Sequence, residues 1–190
     1  MTAPSARHHR VRRANAALAA FVLLAAAGCA GESSDASPEE GESALDGVAF
    51  TDPGGRYTLT VPADWEARHG IAGEGIEVWI VAEADATFTP NVNVMTEDVT
   101  GMSLGTYLDL SITNAPSIIS DFELLRSDPV TGSAGQELAV MEYSGLGLTH
   151  LGVLGMGSDG AVIVTLSVPP ERFATIREAV YPYLLTLQPT

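Results

Sequence analysis

Between residues 56 and 62 the side chains alternate, with Tyr57, Leu59 and Val61 apolar and Thr58 and Thr60 polar. A two-residue period turns one face of a strand into a core. Pro53-Gly54-Gly55 makes a turn before this segment and Pro62 ends it. From Ile76 to Glu83 the chain is apolar at nearly every position, which predicts a strand covered on both faces and therefore central in its sheet. Asn91–Met95 predicts a third strand. Pro90 stands at its start, because a proline cannot donate to a β-ladder. Then the period changes. Leu104, Tyr107, Leu108, Ile112, Ala115 and Ile119 recur at helical spacing. They predict an amphipathic helix of about four turns, with Ser103 as N-cap and Pro116 as a break before its end.

A β-meander follows. Phe122–Asp128, Gln136–Ser144, Leu148–Met156 and Ala161–Val168 read as strands. They are separated by turn signals at Pro129-Val130-Thr131-Gly132, Gly145-Leu146-Gly147 and Ser158-Asp159-Gly160. The alternation of Val162, Val164, Leu166 and Val168 predicts one buried face for the last strand. Pro169-Pro170-Glu171 then opens a second helix, striped by Phe173, Ile176, Val180 and Leu184 and kinked at Pro182. Hairpin-linked strands and two helices with apolar stripes to bury imply an α+β fold, an antiparallel sheet packed against helices. Residues 48–190 are expected to form this single globular domain, which is long enough to bury one core. Trp65 and Trp79 are expected within it.

Composition divides the chain further. The charged fraction is only 17%, yet the net charge is −15. Such an acidic balance disfavours nucleic acid, whose phosphates require clustered cations. A single cysteine excludes an internal disulfide and any multi-cysteine metal site. That cysteine follows an N-terminal address. Arg7, Arg10, Arg12 and Arg13 form a basic region, and Ala16–Ala27 is an apolar run too short to span a bilayer. It ends in Ala26-Ala27-Gly28-Cys29, small residues before the lone cysteine, which looks like a bacterial lipobox. Residues 1–28 are then a signal peptide, and Cys29 is diacylated and becomes the mature N-terminus. A plain signal peptide with an incidental cysteine is the alternative, and a retained signal-anchor helix a lesser one. Arg12-Arg13 raises twin-arginine export, but the residues after it favour the general secretory route. Residues 29–47 are rich in Glu, Asp, Ser and Gly, with almost nothing to bury, and read as a flexible acidic tether. The processed chain keeps five arginines against 24 acids, a net −19. The absence of lysine and the wealth of Ala and Gly fit the GC-rich coding of an actinobacterium.

Two motifs imitate catalytic ones. Gly101-Met102-Ser103-Leu104-Gly105 matches G-x-S-x-G, but a nucleophile elbow needs a strained turn above a parallel sheet. Hairpins dominate this chain, so Ser103 reads as a helix cap, with a serine hydrolase using Ser103 and His150 as the lesser reading. Gly155-Met156-Gly157-Ser158-Asp159-Gly160 matches G-x-G-x-x-G, but a strand rather than a helix follows, so it reads as a hairpin turn. Outside the address only His69 and His150 are present. No metal site, cofactor or catalytic residue is expected. The candidates for ligand contact are Asn91 and Asn93, which share one strand face, and Tyr107 on the first helix.

Several segments resemble the LpqN-type actinobacterial lipoproteins. These are Phe50-x-x-Pro53 leading to Arg56-Tyr57-Thr58-Leu59-Thr60-Val61-Pro62-x-x-Trp65, Pro90-Asn91-Val92-Asn93-Val94, Ser103-Leu104-x-x-Tyr107-Leu108, and Val168-Pro169-Pro170-Glu171-Arg172-Phe173. The resemblance implies the Mog1/PsbP-like fold, an α/β/α sandwich. It implies a secreted, lipid-anchored protein with an accessory role in the cell envelope beside lipid or glycolipid export, and supplies no catalytic residue. The expected function is that of a non-enzymatic lipoprotein on the extracytoplasmic face of the cell membrane that binds a membrane-protein partner or, since a net −19 disfavours polyanions, a neutral lipid or glycolipid. A purely structural envelope role without a small ligand is the alternative.

Overall fold

The computed structural model describes residues 45–68, 76–84 and 88–190. The signal segment, Cys29, His69 and nearly all of the expected tether lie outside the described residues. Ten strands and two α-helices follow in order: β1 (Val48–Thr51), β2 (Tyr57–Val61), β3 (Glu66–Ala67), β4 (Glu77–Ile80), β5 (Asn91–Glu97), α1 (Leu104–Asn114), β6 (Glu123–Thr131), β7 (Glu137–Gly145), β8 (Leu148–Gly157), β9 (Gly160–Val168), α2 (Phe173–Leu184) and β10 (Gln188–Pro189). Seven of the strands form one sheet in the order β3-β4-β5-β9-β8-β7-β6, every pair antiparallel. A small sheet β1-β2-β10 stands apart.

The two faces of the large sheet bury different partners. On one, Val92, Val94, Val162, Val164, Leu166 and Val168 pack against Ile176, Val180 and Leu184 of α2 and Tyr57, Leu59 and Val61 of β2. Each such side chain contributes about 1.5–3 kcal/mol by leaving water, so this layer dominates the fold. On the other face, Leu104, Tyr107 and Leu108 of α1 pack on Ala139, Met141, Tyr143 and Leu154. Helices thus cover both sides of an antiparallel sheet, the α+β arrangement expected.

Details differ from the sequence expectations for identifiable reasons. The 76–83 run is not central. It yields a four-residue β4 one place from the sheet edge, its outer neighbour the two-residue β3. Its apolar residues on both faces are buried anyway, Trp79 against Phe50 with ring centroids 5.1 Å apart. Pro129, Val130 and Thr131 extend β6 rather than turning. Proline fits there because β6 is the edge strand, and only one of its sides needs N–H donors. The helix expected to reach Ile119 ends at Asn114, and Pro116 starts a short 3₁₀ turn instead. β9 is expected to bury one face and buries most of both, Thr165 and Ser167 being enclosed alongside Val164, Leu166 and Val168. β1, β3 and β10 are too short to carry a period and escaped the pattern.

Candidate functional site

The strand register places Asn91 and Asn93 within a larger constellation. Asn91 stands opposite Ser167, Ser167 opposite His150, and His150 opposite Tyr143. One row along, Asn93 faces Thr165, which faces Gly152, which faces Met141. Directly opposed residues share a sheet face, so these two rows lie on the α1 side. The next row, Met95, Ile163, Leu154 and Ala139, is wholly apolar. Uncharged hydrogen-bonding groups are therefore gathered at one end of this face, separated by the apolar row from Glu97 at the other. Ser167, Thr165 and His150 are buried, while Asn91, Asn93, Met95 and Ile163 are half-buried. The side-chain amide of Asn91 donates to the Thr89 carbonyl at 3.0 Å.

His150 organises the deep end. Its Nε2 faces the Gly145 carbonyl at 3.3 Å and its Nδ1 the Ser167 hydroxyl at 2.9 Å. A carbonyl can only accept, so Nε2 carries the proton and Nδ1 accepts from Ser167. Its ring stacks on Tyr143 with centroids 4.6 Å apart. Burial drives its pKa down to about 4, against a smaller upward pull from the Gly145 carbonyl. The imidazole is thus neutral at physiological pH and too weakly basic to activate the serine beside it.

Tyr107, the third sequence candidate, is 4% exposed and packs into the core beneath α1. It bonds the Glu97 carboxyl at the opposite end of the same face, and burial raises both groups' pKa values. One Glu97 oxygen, Oε1, is buried without a hydrogen-bond partner among the described residues. Glu97 also lines a cleft of about 250 Å³ with Arg56, Thr96, Asp98 and Asp159. Arg56 is fully engaged there. Its Nε and Nη2 donate to the Asp52 carboxylate at 2.8 and 2.9 Å, and its Nη1 donates to the Thr96 hydroxyl. This fork ties the turn before β2 to β5. It also holds the buried Asp52 carboxyl below the usual carboxylate range, chiefly through hydrogen bonding from Arg56. The cleft is thus bordered by an internal clamp.

Ser103 does what its position at a helix start requires. Its hydroxyl accepts from the Thr106 amide at 3.2 Å and bonds the Thr106 hydroxyl at 2.9 Å, while His150 is turned to Ser167 and Gly145. The Gly155–Gly160 motif is the β8–β9 hairpin. Sequence reading found Asn91 and Asn93 but missed Thr165, Ser167 and Gly152. The available signal was the polar half of the β9 alternation, which resembles an ordinary solvent face until register is known.

No protein-family model and no curated protein matches the chain. Solved structures do. The protein of unknown function PA94 from Pseudomonas aeruginosa superposes with a TM-score of 0.55 at 15% identity, over 77% of this chain and 99% of its own. The cyanobacterial PsbP (CyanoP) from Synechocystis sp. PCC 6803 gives 0.55 at 16% identity, over 80% and 98%. Both are spanned almost end to end by the present chain, and the fold is accordingly the PsbP-like α+β fold.

Proposed function

We propose that this protein is a non-enzymatic lipoprotein of the LpqN kind, anchored by a diacylated Cys29 on the extracytoplasmic face of the cell membrane. There it serves as a binding accessory for an envelope membrane protein or a neutral lipid. The observation carrying this reading is Cys29 itself, the chain's lone cysteine, placed directly after a basic region, a short apolar run and three small residues. Two acyl chains hold where one would not, at ~0.8 kcal/mol per buried CH₂, and the acidic body leaves attachment to them. The folded domain supports a binding role, because its uncharged polar groups collect on one sheet face while Ser103 and His150 are each committed to structural bonds. Detergent partitioning of native and Cys29→Ala protein tests the anchor. The native chain is expected in the detergent phase and the variant in the aqueous phase; equal aqueous partitioning refutes the reading.

A further inference from the structure

The folded domain meets the preceding chain at one corner, and that corner is aromatic. Val48 opens β1 opposite Val61, the last residue of β2, so the chain enters beside the turn that follows β2. Trp65 closes that turn, its amide donating to the Pro62 carbonyl at 3.2 Å. Its ring lies against Tyr183 near the end of α2, with centroids 5.7 Å apart. The Tyr183 hydroxyl donates to the Asp46 carbonyl at 3.3 Å, which ties the entering chain to the ring pair. Burial alone does not account for these side chains. Trp79 is 3% exposed, whereas Trp65 and Tyr183 are half-buried and Val48 is 67% exposed. Tryptophan and tyrosine each carry an apolar body and a polar tip, and where they stay partly in water such rings suit the boundary between lipid headgroups and acyl chains.

Cys29 lies a short way back along the chain from this corner. Residues 30–44 separate it from Leu45, and a segment of that length reaches about 20 Å as a coil and about 50 Å at full extension. A bilayer holding Cys29 is therefore presented to the corner at an effective concentration in the millimolar range. Under that condition a contact too weak to hold a free protein is populated. The carboxylates of the cleft meet the domain beside Arg56, at the opposite end of β2. We propose that Trp65, Tyr183 and Val48 seat the domain on the bilayer interface, with the entry corner toward the membrane and the acidic cleft away from it. This orientation rests on the anchor proposed at Cys29, and it commits the aromatic corner to the lipid surface itself rather than to a ligand. Asp46 and Asp64 are exposed beside the rings and are repelled by anionic headgroups, so the surface that fits is zwitterionic.

The test reconstitutes the lipidated protein in phosphatidylcholine vesicles, plain or brominated on one acyl chain close to the headgroup. Bromine there quenches a tryptophan seated at the interface. The emission of Trp65, taken as the difference between the native protein and Trp65→Phe, is expected to fall about two-fold in the brominated vesicles. Val48→Asp keeps both rings but sets a carboxylate against the bilayer. It is expected to restore the Trp65 emission with little change in the urea midpoint, because the replaced side chain faces water. Unchanged Trp65 emission in brominated vesicles, or quenching that survives Val48→Asp, overturns the proposal. Flotation of the same vesicles reads the anchor separately. Protein that floats without quenching keeps its anchor and loses this orientation, whereas protein that does not float refutes the anchor and the orientation with it.

Discussion

Lowering the pH should unfold this domain earlier than its carboxylates alone would, and His150 is the reason. Buried, it titrates at about 4 in the folded protein, whereas an unfolded histidine titrates near 6.5. A depressed pKa means its contribution is fully present above pH 6.5 and is lost as pH falls toward 4, because only the unfolded chain takes up the proton in that window. Between pH 7.5 and 4.5 the loss amounts to about 2.5 kcal/mol, a large share of the 5–15 kcal/mol that typically holds a domain together. Glu97 acts in the opposite sense. Its pKa is raised by burial, so protonation of the folded state relieves a penalty as pH falls. Asp52, held low by Arg56, begins to cost stability only below about 3.8. Subtracting a variant isolates the histidine. His150→Phe keeps a ring on Tyr143 but strips partners from the Ser167 hydroxyl and the Gly145 carbonyl, a cost of about 1–2 kcal/mol at pH 7.5. Urea unfolding followed by the fluorescence of buried Trp79 measures both proteins at both pH values. The variant should be less stable at pH 7.5 and equal or more stable at pH 4.5. A deficit of the same size at both would refute the neutral, buried histidine.

Two further outcomes follow from the geometry. Arg56→Ala leaves the Asp52 carboxylate, 4% exposed, without its charged partner and unties β2 from Thr96. The expected loss is about 2 kcal/mol, read as a drop in urea midpoint, and an unchanged midpoint would show the fork to be decorative. Ser103→Ala removes the cap of α1 and should cost ~1 kcal/mol. It should leave any ester turnover in a substrate screen untouched, so activity that vanishes with this hydroxyl would restore the hydrolase reading.

The fold and the candidate site were legible in the sequence to different depths, because they depend on different separations along the chain. Alternation at Tyr57, Leu59 and Val61, and the helical stripe from Leu104 to Leu108, are short-range facts that a period reveals directly. Each predicted the face the structure buries. The β7–β8 hairpin was equally local, its turn falling at Gly145-Leu146-Gly147 with Leu146 and Gly147 at positive φ. The polar rows are different. Asn93 meets Thr165 only because β5 pairs with β9 in one register across α1 and three intervening strands, and a slip of one residue would bring Val164 to Asn93 in its place. That register follows from the core on the other face, where Val92 and Val94 must meet Leu166 and Val164 beneath α2 and β2. The apolar half of β9 therefore selects which polar residues of its other half come together. Packing that looks purely structural brings the asparagines, the threonine and the buried Gly152 together on one sheet face. For the same reason, a substitution that shifts the pairing of Val164 or Leu166 should disperse those polar rows before it unfolds the domain.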